Sequence, residues 1–110
     1  MTVKELVDQF DLEVVAGPDL DKKIDGAYIG DLLSNVMARA EKGNLWLTVQ
    51  GHQNVAAVAL LVELSAVILV EDFDYEESAV QRACQKGINL LKTKKKSYAL
   101  ACSFCENKMA

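Results

Sequence analysis

The only histidine of the chain lies in a turn whose residue types could bind a small anion. Gly51, His52 and Asn54 follow one apolar run and precede another. A glycine, an imidazole and a helix-capping amide at a strand-to-helix turn favour an anionic or polar ligand, because free N–H groups at a helix N-terminus attract negative charge. Asp31 and Ser34 open another predicted helix, which we expect at the same edge of the sheet. These five residues form the predicted ligand site; the simpler alternative is a turn, a cap and a solvated side chain.

Catalysis has little support in the residue pattern. His52 has no nucleophile or orienting carboxylate evident in the sequence, so acid–base chemistry would depend on the residue type alone. A small phosphotransfer-associated enzyme that uses His52 at the helix N-terminus is the alternative. Residues 87–93 end in Lys-Thr like a phosphate loop, but Leu91 stands where that loop needs glycine. No Gly-x-Gly-x-x-Gly occurs either, and we expect no cofactor.

Three cysteines could bind a metal or undergo redox chemistry. Cys102 and Cys105 form a Cys-x-x-Cys motif within the predicted last helix, and Cys84 lies elsewhere. A redox motif normally precedes its helix, so that the thiolate meets the helix N-terminus. A zinc site would need a fourth ligand, for which only His52 or an acid is available. We therefore predict small buried or half-buried thiols, with a metal or redox protein as a weaker alternative.

Two charged clusters occur in the second half of the chain. The acidic cluster lacks the alternating ligands and central glycine of a calcium loop, and acids are typical of the first turn of a helix. The basic cluster is short and has no interleaved aromatics, so it favours a solvated loop or helix start over a phosphate-binding patch. The clusters are Glu71, Asp72, Asp74, Glu76 and Glu77, and Lys92, Lys94, Lys95 and Lys96.

Composition limits the class of protein. The 110 residues, 51% of them hydrophobic and only one a proline, predict one globular domain over residues 1–110. The net charge of -4 argues against nucleic-acid binding. The apolar runs around Glu63 are too short to span a membrane, and Glu5 lies where an export signal needs apolar residues. With an odd number of cysteines, this predicts a cytoplasmic protein.

The chain alternates between helix and strand patterns. Thr2 and Glu5 have the spacing of a capping box, and Asp31 and Asn54 stand where N-caps of later helices are expected. Gly43 and Gly87 are predicted to end two helices. The predicted helices cover residues 2–10, 31–43, 54–64, about 77–87 and 97–107, and the predicted strands cover residues 12–15, 24–29, 45–49, 66–70 and 88–91.

The apolar residues of two predicted helices indicate how each helix is covered by the rest of the domain. Leu32, Leu33, Val36, Met37 and Ala40 form one face of the helix after Asp31, and the helix after Asn54 is apolar almost all round, so we expect it to be covered on more than one side. Strands alternating with helices predict a single small α/β domain, with a mainly parallel sheet of about four or five strands and helices on both faces. The open edges of such a sheet could pair with a second copy.

From Asp21 onwards the chain resembles the DRTGG domain family. The resemblance depends on the sum of several segments, which are Asp21-Lys22, residues 26–37, residues 43–50, His52 with Asn54, residues 55–59 and residues 66–70. The chain departs from the family signature at Lys22, where the family has arginine, and at Asp25-Gly26-Ala27, where it has Thr-Gly-Gly.

The resemblance implies a non-catalytic regulatory or ligand-sensing module. Such domains resemble those inserted between CBS domains of some inorganic pyrophosphatases, where they pair across a dimer, and those attached to phosphotransacetylases. They are also similar to the non-kinase part of HPr kinase/phosphorylase. The expected partners are therefore a second copy of the chain and a small anionic or nucleotide-like ligand, or a partner enzyme.

Overall fold

A computed structural model describes residues 1–107, which form one α/β domain. Helices and strands alternate through most of the chain, as the apolar pattern predicts. The elements are α1 (Val3–Phe10), β1 (Glu13–Ala16), β2 (Ala27–Ile29), α2 (Leu33–Arg39), β3 (Leu45–Thr48), α3 (Asn54–Val62), β4 (Ala66–Leu69), α4 (Glu77–Lys86), β5 (Leu90–Lys92) and α5 (Ser97–Glu106).

The five strands form one sheet in the order β1-β5-β4-β3-β2. Strands β2 to β5 are parallel, and β1 joins β5 as an antiparallel edge strand. This confirms the predicted mainly parallel sheet. The β2-to-β3, β3-to-β4 and β4-to-β5 crossovers all step in the same direction, and crossovers of one hand then lie on one face. Helices α2, α3 and α4 accordingly share a face, and α1 and α5 cover the other.

The central strands are buried on both faces, as expected for parallel strands between two helix layers. Alternate residues contact opposite layers: Leu47 and Ile68 pack with α1 and α5, and Trp46 and Val67 pack with α2, α3 and α4. Phe10 and Phe104 meet edge to face, with ring centroids 4.8 Å apart, and thereby join α1 to α5. The core is thus two apolar layers separated by the sheet.

Helix α1 begins as its sequence predicts. The Thr2 hydroxyl accepts the Glu5 N–H at 3.2 Å, and the Glu5 carboxylate accepts the Thr2 N–H at 3.0 Å. This is the predicted capping box. The same terminus pairs with residues 22–24: Val3 N–H donates to the Lys22 carbonyl, and Ile24 N–H to that of Met1. Strand β2 therefore begins only at Ala27, and its predicted start at Ile24 is wrong.

Helix α2 departs most from prediction. It begins after Leu32 with no side-chain cap, and it ends at Arg39, followed by an extended Ala40. Gly43 does have a left-handed φ of +84°, but it lies in the turn before β3 and not at the helix end. On the predicted apolar face Val36 is buried, whereas Leu32 and Met37 are 61% and 48% exposed. The helix is short and lies at a sheet edge, so few neighbours cover it.

Helix α3 is covered less completely than predicted. Val55, Ala56, Val58 and Ala59 are buried, but Leu60 and Leu61 are exposed. Its end at Val62 is followed by Glu63 in a left-handed conformation. Two leucines therefore remain on the surface, where α3 lies beside α4.

Candidate functional site

The carboxyl ends of the parallel strands form one rim of the sheet, which we call the carboxyl rim. It carries Asp31 after β2, Gly51 and His52 after β3, Glu71 and Asp72 after β4, and Thr93 to Lys95 after β5. Ligands of open α/β sheets bind outside this end of the strands. Of the predicted site residues, Asp31, Gly51 and His52 therefore belong to this rim. Ser34 and Asn54 lie inside helices α2 and α3.

Asp31 connects the ends of β2 and β3. Its Oδ1 accepts the hydroxyl of Thr48 at 2.8 Å and the N–H of Val49 at 3.0 Å, and its carbonyl accepts the Gln50 side chain at 3.3 Å. The predicted role of Asp31 as the N-cap of α2 is wrong, because its carboxylate is already used by these two donors. Asp31 instead fixes the backbone that leads into the turn at Gly51.

Gly51 is required by a close backbone contact. A Cβ at this position would overlap the carbonyl oxygen of Asp74 and lie 3.0 Å from the Cα of Tyr75. The carbonyl of Gly51 also accepts the N–H of Glu76 at 2.8 Å. The turn after β3 is therefore held against the loop that leads into α4.

His52 has a defined hydrogen bond at the start of α3. Its Nδ1 accepts the N–H of Asn54 at 3.1 Å, and its carbonyl accepts the N–H of Val55 at 3.0 Å. The predicted capping by Asn54 is wrong: Gln53 is the N-cap residue, without a side-chain bond, and Asn54 is the first residue of the helix. Because Nδ1 is an acceptor, the hydrogen of the neutral imidazole lies on Nε2, which can donate to a ligand.

Of the five predicted residues, only His52 and Asn54 are hydrogen-bonded to each other within residues 1–107. Asp31 is bonded to the end of β3, and His52 to Asn54, both at the carboxyl rim. Ser34 lies in the first turn of α2, and its side chain is exposed, as are those of His52 and Asn54. These three side chains are thus available to solvent at the ends of neighbouring helices, while Asp31 and Gly51 position the backbone.

The acidic cluster lies mostly in a loop. Only Glu77 lies in the first turn of α4, while Asp72 and Asp74 pair with Lys92 at 3.6 Å and 2.5 Å. The hydrogen bond that the Lys92 ammonium donates to Asp74, together with the nearby carboxylates, raises the pKa of Lys92. The expectation that the acids mainly begin a helix is wrong in this respect. Both clusters were visible in the sequence, but nothing local indicated that Lys92 pairs with residues 18 to 20 positions away.

The loop between β4 and α4 is anchored at several points. Glu71 and Asp72 both have left-handed φ angles of +61°, and their N–H groups donate to the carbonyls of Lys95 and Thr93. The Tyr75 hydroxyl donates to the Leu91 carbonyl at 2.7 Å. Burial of this hydroxyl raises the pKa of Tyr75 well above its ordinary value. The loop is therefore tied to β5 and to the segment that follows it.

The three cysteines are free thiols in different surroundings. Cys84 and Cys105 are exposed and Cys102 is half-buried. The prediction of buried or half-buried thiols is thus wrong for two of them, because Cys84 lies on the outer side of α4 and Cys105 beyond the buried stripe of α5. Within residues 1–107, no three histidine, cysteine or acidic side chains are grouped to hold a metal ion.

Three clefts lie away from the five predicted residues. The charged cleft, of about 450 Å³, is lined by Phe10, Asp11, Glu13, Asp72 and residues 92–95. A second, of about 350 Å³, lies at the opposite end of the sheet near Lys22, Lys42 and Ser65. A third, of about 580 Å³, lies over Leu60 and Leu61 beside Arg82. Of these, only the charged cleft includes residues of the carboxyl rim.

Sequence comparison finds neither a matching family model nor a matching curated protein. Comparison of structures does find a match, to the CBS and DRTGG domains of the regulatory region of a Clostridium perfringens pyrophosphatase, complexed with its activator diadenosine tetraphosphate. The TM-score is 0.70 at 10% sequence identity, over 92% of this chain and 44% of the matched chain. The chain thus spans less than half of the matched chain.

This similarity confirms, at the level of the fold, the predicted resemblance to DRTGG domains: the chain has a DRTGG-like α/β fold. Among residues 1–107, no helix is both long and apolar enough to cross a membrane.

Proposed function

We propose that this chain, over residues 1–110, is a non-catalytic regulatory module that acts as a homodimer in the cytoplasm and senses a small anionic or nucleotide-like ligand. The observation that carries the proposal is the fold shared with a regulatory region that was crystallised with a nucleotide activator. Free thiols agree with a reducing compartment. Ligand binding would change the surface of this module and thereby regulate a partner enzyme.

We propose the turn after β3 as the ligand site. The Nε2–H of His52, the side-chain amide of Asn54 and the Ser34 hydroxyl are the donors, and Asp31 and Gly51 hold the backbone beneath them. Three exposed donors beside two helix starts suit an anionic group. A catalytic role would need a partner group for His52, whose only hydrogen bonds within residues 1–107 join it to the start of α3.

A thermal-shift screen tests ligand sensing. Nucleotides, phosphorylated metabolites and metal ions are added in turn to the wild type, to His52→Ala and to the neighbouring control Gln53→Ala. A ligand at about 100 times its Kd adds about 2.7 kcal/mol to the free energy of unfolding, which raises Tm by several degrees in a domain of this size. We expect the shift to be lost in His52→Ala and kept in Gln53→Ala. Labelling of His52 by acetyl phosphate would instead favour the phosphotransfer enzyme.

The β2 edge supports the homodimer. Strand β2 pairs only with β3 among the described strands, so the other side of its backbone is open. Three exposed apolar side chains belong to β2 and to the segment that follows it, and we call Ile29, Leu32 and Met37 the edge patch. An open strand edge flanked by apolar side chains is a surface on which a second copy can add its own strand.

Light scattering coupled to size-exclusion chromatography tests the pairing. We expect twice the mass of the chain for the wild type, and a monomer for Ile29→Lys, because a charge at the edge strand opposes pairing. Leu61→Lys, which places the same charge on an exposed leucine outside the edge patch, serves as the control and should stay dimeric. A wild-type monomer at tens of micromolar would contradict the homodimer.

A further inference from the structure

The chain leaves β4 and β5 towards opposite faces of the sheet. After β4 it enters α4, which packs on the face of Trp46 and Val67, and after β5 it enters α5, which packs on the face of Leu47 and Ile68. Adjacent parallel strands whose connections diverge in this way create a crevice at their carboxyl ends, and open α/β sheets bind ligands there. The charged cleft lies beside this point: Asp72 after β4 and residues 92–95 line it together with Phe10, Asp11 and Glu13 from the end of α1 and the start of β1.

The charges in the cleft are of two kinds. Lys92 is half-buried, with 13% of its side chain exposed, and is neutralised by Asp72 and Asp74. Lys94 and Lys95 form no ion pair within residues 1–107, and neither do Asp11, at the end of α1, and Glu13, the first residue of β1, which lies opposite Lys92 in the β1–β5 pairing. The free groups are therefore two cations on the β5 side and two carboxylates on the β1 side.

This arrangement selects a ligand with two different ends. A purely anionic ligand would face repulsion from Asp11 and Glu13, and a purely cationic one would face repulsion from Lys94 and Lys95. Lysines bind phosphate as point charges, and carboxylates accept hydrogen bonds from the hydroxyl groups of ribose. A volume of about 450 Å³ exceeds the needs of a lone phosphate and falls within the range of about 300–1,000 Å³ typical of small-molecule sites.

The loop that contributes Asp72 to the cleft is bonded to the segment that contributes residues 93–95. The N–H groups of Glu71 and Asp72 are bonded to the carbonyls of Lys95 and Thr93 at 2.9 Å and 3.0 Å, and both residues adopt the left-handed conformation. Such a conformation is costly for residues other than glycine and is common at ligand sites. The Thr93 hydroxyl accepts the N–H of Lys95 at 3.2 Å and so shapes the segment that carries the free lysines.

We propose that the charged cleft binds a phosphorylated ribose or mononucleotide, with its phosphate on Lys94 and Lys95 and its ribose hydroxyls on Asp11 and Glu13. The proposal rests on the proposed function, ligand sensing, and assigns a site different from the turn at His52. It also revises the interpretation of the lysines as merely solvated, since two of them line the same cleft as two carboxylates without an ion pair among residues 1–107.

Chemical-shift mapping on ¹⁵N-labelled protein tests the site. AMP, ribose 5-phosphate and inorganic phosphate are titrated separately to millimolar concentrations. We expect AMP and ribose 5-phosphate to shift the amides of residues 11–13, 71–72 and 93–95, and phosphate alone to shift only residues 93–95 and more weakly. Lys94→Ala/Lys95→Ala should weaken AMP binding by about tenfold or more. Glu13→Gln should weaken AMP but not phosphate, and Lys86→Ala, an exposed lysine of α4, should change neither.

The outcomes separate the two proposals. Shifts confined to residues 51–54 would overturn the charged cleft and leave the proposed ligand sensing intact. An unchanged affinity in Lys94→Ala/Lys95→Ala would also overturn the cleft assignment. No shift in any amide with AMP or ribose 5-phosphate at millimolar concentration would overturn the cleft, whereas ligand sensing as such is decided by the wider thermal-shift screen.

Discussion

The hydroxyl of Thr48, at the buried end of β3, donates to Oδ1 of Asp31 at 2.8 Å. The same carboxylate oxygen accepts the N–H of Val49 at 3.0 Å, so one exposed side chain satisfies two donors of the neighbouring strand. These two bonds attach the segment after edge strand β2 to the end of β3, in addition to the backbone pairing of the two strands. Asp31 therefore links the end of β2 to the backbone that leads into the proposed ligand turn.

Asp31→Ala is expected to destabilise the protein by about 1–3 kcal/mol, because the buried Thr48 hydroxyl and the Val49 N–H lose their acceptor. Asp31→Asn keeps an acceptor oxygen and should lose less. Urea unfolding gives the free-energy change, with Asp21→Ala, another exposed aspartate, as the control. Equal stability of Asp31→Ala and Asp21→Ala would show that the two bonds contribute nothing.

Gly51→Ala is expected to cost more than Gly87→Ala. A Cβ at Gly51 would meet the backbone of Asp74 and Tyr75, which must then move, at a cost of about 1–3 kcal/mol. Gly87 has open space around it and needs glycine only for its φ of +76°, a cost of about 1–2 kcal/mol. Thermal unfolding compares the two variants.

Asparagine substitutions distinguish the reasons why the two glycines are needed, because asparagine tolerates a left-handed φ but has a Cβ. Gly87→Asn should recover part of the loss seen in Gly87→Ala, whereas Gly51→Asn should be at least as destabilised as Gly51→Ala. Recovery at both positions would mean that the contact with Asp74 is not what requires Gly51.

The capping box of α1 predicts a pH dependence of stability. Hydrogen bonds from the Thr2 N–H and hydroxyl lower the pKa of Glu5 from its ordinary 4.5. A lowered pKa means that the folded state favours the carboxylate, so the stabilisation is present above pH 4.5 and is lost as the pH falls through the folded-state pKa. The Tm difference between wild type and Glu5→Gln should therefore be largest near neutral pH and shrink in acid.

Thr2→Ala provides a second test of the same box. It should cost about 1 kcal/mol through loss of the hydroxyl cap. In this background the pH-dependent effect of Glu5→Gln should fall but not vanish, because the backbone N–H at position 2 still donates to the carboxylate. A Tm difference that is constant with pH in the wild-type background would contradict the predicted linkage.

The thiols are expected to react at two rates. Cys84 and Cys105 are exposed and should react rapidly with Ellman's reagent, and half-buried Cys102 more slowly. The double variant Cys84→Ser/Cys105→Ser should keep only the slow phase. Three equal rates in the native protein would contradict the burial difference, and full denaturation should make all three thiols equally reactive.

Local sequence determined those elements whose signals are complete within a few residues. The apolar runs of β3 and β4 are buried on both sides, and the Thr2–Glu5 spacing forms the capping box as predicted. Gly87 ends α4 in the left-handed conformation. In each case the deciding interaction lies within one element or its immediate neighbour, so periodicity and residue type were sufficient.

Tertiary structure decided the rest, because the competing partners are far apart in the chain. The carboxylate of Asp31 could have capped the N-terminus of α2. It instead accepts hydrogen bonds from donors at the end of β3, 17 and 18 residues away. Lys92 pairs with the β4–α4 loop rather than joining the solvated lysines after it. No local pattern specifies which of two satisfactory partners is nearer once the sheet has assembled.

The sequence by itself thus determined a mainly parallel α/β domain and the residue types available at its carboxyl rim. Only the assembled sheet decided that the connections after β4 and β5 diverge, and that two lysines and two carboxylates line one cleft. The physical reason is that strand order and the faces of the helices are set by the summed burial of distant apolar surfaces. Individual polar residues then bond to whichever partners that burial brings within reach.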